Sequence, residues 1–513
     1  IHKGLADGPQ LVIDGIEVTQ ATQCLNLDYP GSGSVCSGRN GLPLVSGKKT
    51  VVRVYATVNR SCHATELAAK VPVTLHMSWP GGSTTETKET NVFCVKRLST
   101  LSAVPEQLRE GSLGSANFYL TMPKDVTGTV SFWAEVNDDQ SWPEPDFSNN
   151  RYPAMGTEDV EFSVRDALDI GYVLVDYRPQ ESTSYHGWKD WKDGPPDASW
   201  VASKEAYGLL NDLYPTADVN YYKFGQLTYT GRDTRDTYYN SQGDWVCGEC
   251  DFLNWLTVAW LGNALLTGSP ADQVFGWLPY DARAPLGVGA ADAPPPVWEG
   301  LGVAAFGEEK RKHVLAHEVG HNLKLWHAPC PGAGQPGAPT NFLDPSWPYG
   351  GDGSVQEVGF DVGRGRPVPR THCDIMGYSS HRWISPYHWK KVFDELAPST
   401  RVASTGRRAL QSYVLVSGVV SEEEAGRLDA VLSLSSSADP PKGPPGGAYC
   451  ISFHNIWDAE LSTGCFDLSF ESLEDEAVNG AAGFAYALPL PAGTTRIKLR
   501  HGSEVLDERT ASP

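Results

Sequence analysis

Three histidines and a glutamate lie close together in segment 317–327, which reads HEVGHNLKLWH. His317 and His321 are four residues apart, so on a helix they share one face and can aim their ring nitrogens at one zinc ion. Glu318 lies where it can take a proton from zinc-activated water rather than bind the metal. His327 is six residues beyond His321, so it can reach the same metal only if the helix ends and the chain turns back.

The residues before this segment favour a helix. Glu308, Glu309 and the basic residues after them are polar, and an apolar stripe follows them at Val314, Leu315, Val319 and Leu323. Acidic residues in a first turn also suit the helix dipole. We therefore expect the metal-binding helix to begin near Glu308.

A second group of residues that bears on the site lies downstream, at Cys373-Asp374-Ile375-Met376-Gly377-Tyr378. With the three-histidine pattern before it, this turn resembles the Met-turn of the metzincin metalloproteases, and the resemblance covers about 165–398. It implies that Met376 packs beneath the metal and its histidines. It also implies that Tyr378 lies near the metal as a weak fifth ligand and then donates a hydrogen bond to the oxyanion.

Lys324 departs from the metzincin pattern, which has glycine at this position. A lysine in the left-handed conformation costs about 1 kcal/mol relative to glycine. Either Lys324 bears that cost or the helix ends differently here.

The order of sequence patterns predicts three domains. The fold class that we expect is multidomain α+β, with a central metzincin-like α/β catalytic domain flanked by two antiparallel β-sandwich domains. Residues 1–164 are the N-terminal, immunoglobulin-like sandwich, 165–405 the zinc metalloprotease catalytic domain and 406–513 the C-terminal sandwich. Within the central domain we expect strands at 170–177 and 219–229 and helices at 200–213, at 252–266 and from the N-cap Ser385 through Leu396.

Composition narrows the classes of partner. The chain has 513 residues and a formal net charge of −21, which argues against nucleic acid because phosphate binding depends on Lys and Arg. No apolar run is long enough to span a membrane. The start at Ile1 has neither an initiator Met nor an apolar signal core, so we expect a processed or trimmed N-terminus.

Ten cysteines fall in local pairs, which is typical of disulfides formed in an oxidising, extracellular compartment. Cys247 and Cys250 have an alternative interpretation as half of a zinc knuckle or a redox pair. The predicted pairs are Cys24 with Cys36, Cys62 with Cys94, Cys247 with Cys250, Cys330 with Cys373, and Cys450 with Cys465.

Together these features predict a secreted, monomeric zinc endopeptidase that hydrolyses protein or peptide substrates, glycoproteins included. Glu318 is the predicted general base. Three alternatives stay open: an extracellular binding or adhesion protein with a degenerate zinc site, a thermolysin-like zinc peptidase with a downstream Glu as third ligand, and a zinc hydrolase that acts on a non-protein substrate.

Other residues near these motifs have weaker interpretations. An acidic loop at 137–139 and 145–150 is a candidate calcium site, although Asp and Asn also fill turns for conformational reasons. The remaining nearby histidines are expected at the surface or in the substrate cleft: His313, His372, His381 and His388. Residues 379–383 are the expected primed-side wall of that cleft.

Overall fold

The structure of the chain is a computed structural model. The expectation about the start of the chain falls on residues 1–9, which lie outside the described residues. The structure describes residues 10–26, 35–58, 67–93, 104, 106–111, 115–180, 194–234, 236–239, 245–268, 270–280, 289–291, 302–330, 343–351, 353–398, 410–423, 425–438, 440, 444, 446–468, 470 and 480–510.

Nine strands in the first third of the chain form one sheet, which runs in the order β1-β3-β5-β4-β7-β9-β2, with β6 beside β3 and β8 beside β7. All pairs are antiparallel except β2 with β9 and β3 with β5. The elements are β1 (Leu11–Thr19), β2 (Leu44–Val45), β3 (Lys49–Val58), β4 (Leu67–Trp79), β5 (Gly82–Phe93), helix α1 (Glu106–Glu110), β6 (Ser115–Thr121), β7 (Gly128–Val136), β8 (Arg151–Tyr152) and β9 (Glu158–Ser163).

A five-stranded sheet follows, in the order β11-β10-β14-β16-β15, and β12 pairs with β13 outside it. Strands β10, β11, β14 and β16 are parallel, and β15 is antiparallel at the edge. The elements are β10 (Leu168–Tyr177), helices α2 (Ala198–Val201) and α3 (Lys204–Leu213), β11 (Val219–Tyr229), β12 (Thr237–Tyr239), β13 (Trp245–Cys247), helix α4 (Gly248–Thr267), β14 (Gln273–Leu278), β15 (Gly289–Ala291), β16 (Ala304–Glu308) and helix α5 (Val314–Asn322).

Two-stranded ladders and two four-stranded sheets complete the described part of the chain. One four-stranded sheet contains β21, β22, β23 and β26, and the other runs β25-β24-β27-β28. The elements are β17 (Gly359–Asp361), β18 (Arg366–Val368), β19 (Cys373–Asp374), β20 (Arg382–Trp383), helix α6 (Pro386–Glu395), β21 (Gln411–Ser421), β22 (Gly426–Leu428), β23 (Leu432–Ser436), β24 (Tyr449–His454), β25 (Glu460–Phe466), β26 (Ala481–Pro489), β27 (Arg496–His501) and β28 (Glu504–Thr510).

Helix α4 joins the five-stranded sheet to the C-terminal strands. Phe252 and Leu256 on the helix belong to the same buried cluster as Val274 of β14 and Leu415 of β21. The Asn254 side-chain amide donates to the carbonyl oxygen of Gly418 at 2.8 Å, which satisfies a buried polar group at this contact.

The predicted fold class, with a central metzincin-like α/β domain in a multidomain α+β chain, is wrong. Strands account for 44% of the described residues and helices for only 15%, so the chain is mainly β and is divided among several sheets. The pattern of alternating segments is misleading because residues 323–330, 343–351 and 353–383 contain turns and two-stranded ladders rather than further helices. The β-rich organisation fits the expected sandwiches, and the three domain boundaries stay predictions.

Individual elements compare better with the sequence. The strand expected at 219–229 is confirmed as β11, and the helix after Ser385 is confirmed, with the Ser385 hydroxyl accepting from the His388 N–H. The helix expected at 200–213 is instead two helices, because Ser203 caps a new one. The expected start of α5 near Glu308 is also wrong, since Glu308 ends β16.

Four of the five predicted disulfides are present among the described residues, including Cys247 with Cys250, which excludes a free-thiol zinc knuckle there. The predicted pair Cys62 with Cys94 lies outside the described residues. Several disulfides fit an extracellular protein. Among the described helices, none has the length and apolar character needed to cross a membrane.

Candidate metal centre

Helix α5 ends in a turn that sends the chain back toward its own side. Lys324 takes a left-handed conformation with φ of 64°. The Leu325 N–H donates to the Gly320 carbonyl at 3.0 Å and the Lys324 N–H to the His321 carbonyl at 2.8 Å, which is the hydrogen-bond pattern of a Schellman motif. Lys324 therefore adopts the conformation for which glycine is preferred. The turn reverses the chain and brings His327 back beside helix α5.

The three predicted histidine ligands are buried together. His317 and His321 extend from α5 and His327 follows the turn, and each is no more than 2% exposed. The His317 Nδ1–H donates to the Ile375 carbonyl at 2.9 Å, and the His321 Nδ1–H donates to the Leu325 carbonyl at 2.9 Å. Since carbonyl oxygens only accept, these bonds fix the Nδ1–H tautomer and leave the Nε2 lone pair of both rings for a metal.

The donor geometry fits a tetrahedral metal. The Nε2 atoms of His317 and His321 are 3.3 Å apart. Two nitrogens that each bind zinc at about 2.1 Å with a tetrahedral angle lie about 3.4 Å apart. Among the described residues, these three histidines are the one group of three or more His, Cys, Asp or Glu side chains whose ligand atoms all lie within 4.8 Å of one another. The triad can hold a metal ion.

The two predicted catalytic residues lie beside the triad. Glu318 is 1% exposed and lies on α5 next to His317. The Tyr378 hydroxyl is 2.9 Å from Nε2 of His327, one of the two ring nitrogens with which this residue could bind the metal. Because that nitrogen has one lone pair, a metal and the Tyr378 hydroxyl proton compete for it.

Met376 and Tyr214 pack against the back of α5, at Gly320. A Cβ on Gly320 would lie 2.6 Å from Met376 Sδ and 2.7 Å from the Tyr214 hydroxyl, so glycine is required for this close approach. Burial, with the Asp374 and Glu318 carboxylates nearby, raises the pKa of Tyr214 well above its usual value. Tyr214 therefore stays protonated and donates to the Ala316 carbonyl, which fixes the helix.

A buried ion pair supports the turn that contains Met376. Asp374 accepts hydrogen bonds from the N–H groups of Met376 at 2.9 Å and Ser385 at 2.8 Å, and its Oδ1 is 2.7 Å from His388 Nδ1. Burial alone would lower the pKa of His388, but Asp374 and Asp344 outweigh it and raise the pKa. The expectation that His388 lies at the surface or in the cleft is wrong, since this ring is fully buried.

Further contacts connect the third ligand to the same turn. The Ala328 N–H donates to the Met376 carbonyl at 3.1 Å, and the Cys330–Cys373 disulfide joins the two segments. On the other side, the Asp344 N–H donates to the His327 carbonyl at 2.9 Å, while its carboxylate accepts from Lys391 at 2.7 Å. His327 is thus held between the Met376 turn and α6.

Sequence reasoning missed the groups that position the ligands. The carbonyls of Ile375 and Leu325 belong to the backbone and have no residue signature. Asp344, Asp374 and His388 are ordinary polar residues in the sequence, and only the fold shows that they meet. Asp374 lies within the predicted Met-turn, and this position is the one feature of the sequence that could indicate its role beside the site.

The acidic loop considered for calcium uses its oxygens in local turns. The Asn137 side chain donates to the Trp142 carbonyl and accepts from the Trp142 N–H, and Asn137 has φ of 56°. Asp139 and Asp146 accept from N–H groups two residues ahead, at Ser141 and Ser148. This geometry is that of Asx turns.

Comparison with known proteins gives no family for this chain. No protein-family model and no curated protein matches it. Similar solved structures include a crystal structure and a solution NMR structure of the CARDB domain of a Pyrococcus furiosus protein, the crystal structure in complex with di-metal ions. Both are 11% identical, with a TM-score of 0.17, and cover 31% of this chain and 90% and 98% of the domain. Similarity this low supports no statement about this chain.

Proposed function

We propose that the protein is a secreted zinc-dependent endopeptidase that resembles the metzincins in its ligands and its Met-turn. The observation that carries the proposal is the convergence of His317, His321 and His327, with two rings locked so that Nε2 faces the shared position. Three neutral imidazoles are a common ligand set for catalytic zinc, which keeps one position open. Several disulfides support the extracellular location.

Zinc at this position would polarise the scissile carbonyl and bring the pKa of a water molecule toward about 7. Glu318 would be placed to accept a proton from that water and to pass it to the leaving amine. Its position on α5 beside His317 is fixed because the Tyr214 hydroxyl donates to the Ala316 carbonyl and because Met376 packs against Gly320. The Tyr378 hydroxyl, which contacts His327 Nε2 here, would be free to donate a hydrogen bond to the developing oxyanion when that nitrogen binds a metal.

The choice of His327 as third ligand distinguishes this proposal from a thermolysin-like site. That alternative needs a downstream Glu within reach of His317 and His321, and no Glu joins the metal-binding group among the described residues. His327 lies there because the Schellman turn at Lys324 reverses the chain.

Replacement of the proposed general base tests the function. With the full chain loaded with zinc, we expect Glu318→Ala to keep its metal and to lose about 10²- to 10⁴-fold in kcat against a peptide mixture. The matched control is Glu460→Ala, which replaces an exposed glutamate on β25 and should keep full activity. Cleavage by Glu318→Ala at the wild-type rate would overturn the mechanism. A wild-type chain that binds zinc and cleaves no peptide would favour the adhesion alternative.

A further inference from the structure

A group of basic side chains lies about one helical turn from the candidate metal centre. We call it the basic cluster, and it consists of Lys312, His313, His372, His381 and Arg382. His313 is the N-cap of α5 and precedes His317 by one helical turn, which is about 6 Å along the axis. His381 and Arg382 follow Tyr378 by three and four residues, and the Tyr378 hydroxyl is 2.9 Å from His327 Nε2. The cluster therefore borders the place where a peptide would be cleaved.

Lys312 and Arg382 are the permanent cations of the cluster, and the His372 and His381 rings meet edge to face with centroids 5.5 Å apart. The pKa of His313 is lowered to about 4, mainly by burial and then by Arg382, Lys312 and His381. Burial, and then His381, also lowers the pKa of His372. Arg382 and Lys312 act on His313, whereas the chain as a whole has a net charge of −21. These two side chains give this edge of the site positive charge that could attract an anionic group.

His313 also has a polar atom that a ligand would satisfy. Its Nδ1 is buried and has no hydrogen-bond partner within the described part of the chain. A buried polar atom of this kind calls for an explanation, since such atoms are nearly always hydrogen-bonded. A neutral imidazole can donate from Nδ1 to a carboxylate.

The N-terminal end of helix α5 also favours a carboxylate ligand. Helix α5 has no acidic residue in its first turn and no side-chain hydrogen bond at its N-cap. The N-terminus of a helix carries a partial positive charge, so an anion here would be stabilised by the helix and by the basic side chains together.

We propose that the basic cluster binds a Glu or Asp side chain of the peptide substrate, so that the enzyme cleaves beside acidic residues. The proposal rests on the proposed peptidase function and names its substrate class. Residues of an extended peptide rise about 3.3 Å each, so a distance of about 6 Å places the acidic residue within about two positions of the scissile bond.

Cleavage of a peptide library by the zinc-loaded full chain is the first test. Mass spectrometry of the products should show Glu and Asp enriched within two positions of the cleaved bond. Two peptides that differ only by Glu or Gln at that position should then differ about tenfold in kcat/KM. Lys312→Glu and His313→Phe should lower that ratio toward one, whereas Arg496→Gln, a basic residue of β27, should leave it unchanged.

Binding supplies a second measurement that does not depend on turnover. Fluorescence anisotropy with the Glu318→Ala chain should show tighter binding of the Glu peptide than of the Gln peptide, and Lys312→Glu should reduce the difference. A wild-type enzyme that cleaves peptides with no acidic preference, or a ratio that neither variant changes, would overturn the proposal and leave the peptidase function standing. A chain that cleaves no peptide and binds both peptides equally would overturn both.

Discussion

Lys324 is the residue where this chain departs from the metzincin pattern, and the structure shows how the departure is accommodated. Lys324 adopts a φ of 64°, and its ammonium lies 2.8 Å from Glu395 on α6. The pair is exposed, so it contributes less than about 1 kcal/mol. The left-handed backbone costs a similar amount relative to glycine.

Substitution of Lys324 separates these two effects. We predict that Lys324→Gly changes the free energy of unfolding by less than about 1 kcal/mol in either direction, because relief of the backbone cost offsets loss of the ion pair. Peptidase activity should be retained. Lys324→Ala is the control, since it loses the ion pair and keeps the left-handed backbone, and urea denaturation should rank it below Lys324→Gly. A Lys324→Ala chain more stable than Lys324→Gly would show that the left-handed backbone at this position carries no cost for a residue other than glycine.

At this scale the sequence predicted most of the candidate site. Ligand histidines, Glu318 and Tyr378 have characteristic residue types and spacings, and the structure brings them together. The spacing also predicted that a turn must lie between His321 and His327. The carbonyls that orient the rings could not be predicted, because any residue can supply a carbonyl and only the fold selects which one.

At the scale of elements, the turn containing Met376 and helix α6 are coupled by a buried ion pair. Asp374 and His388 are both fully buried, and Asp344 lies 3.9 Å from the other nitrogen of His388. Burial would raise the pKa of Asp374, but His388 outweighs it and lowers this pKa, so Asp374 stays ionised at neutral pH. The charge state of His388 therefore decides the strength of the coupling.

The coupling should depend on pH. Because the pKa of His388 is raised in the folded chain, its stabilisation is fully present below the unfolded value of about 6.5 and is lost as the pH rises through the folded value. We predict that the difference in unfolding free energy between wild type and His388→Gln is larger at pH 5.5 than at pH 8.5. Each unit of raised pKa contributes about 1.4 kcal/mol. Chemical denaturation at both pH values measures it, and an equal or larger difference at pH 8.5 would contradict the ion pair.

At the scale of the whole molecule, a buried charge network connects the first sheet to Glu357, in the segment that precedes the Met376 turn. Arg109 on α1 contacts Glu17 of β1 at 2.7 Å and Glu357 at 2.6 Å, and Arg53 contacts Glu17 at 3.1 Å. All four side chains are fully buried. The network therefore joins the N-terminal strands to the segment around Glu357.

Breaking this network should cost far more than breaking an exposed pair. We predict that Arg109→Met lowers the free energy of unfolding by about 3–5 kcal/mol, because it leaves two buried carboxylates with less compensation. Arg370→Gln, which breaks the partly exposed pair of Arg370 with Glu106, should cost less than about 1 kcal/mol. Equal costs for the two variants in urea denaturation would contradict a supporting role for the network.

The fold as a whole was the part that the sequence predicted least well. Periodicity located single strands and helices such as β11 and α6, but it could not show how many strands would join each sheet. The sequence places the segment between α5 and α6 in an α/β domain, whereas its described residues form turns and two-stranded ladders, with Cys330 bonded to Cys373. Long-range pairs such as Arg109 with Glu357 depend on that arrangement and leave no local pattern.

The metal content of the purified chain tests the central claim most directly. Native mass spectrometry after zinc loading should find one zinc per chain in wild type and in Glu318→Ala, and loss of that zinc in His327→Ala. The control His388→Gln, a buried histidine outside the triad, should keep its zinc when measured at a pH where it is folded. Full zinc occupancy in His327→Ala, or a wild-type chain that takes up no zinc, would contradict a three-histidine metal centre.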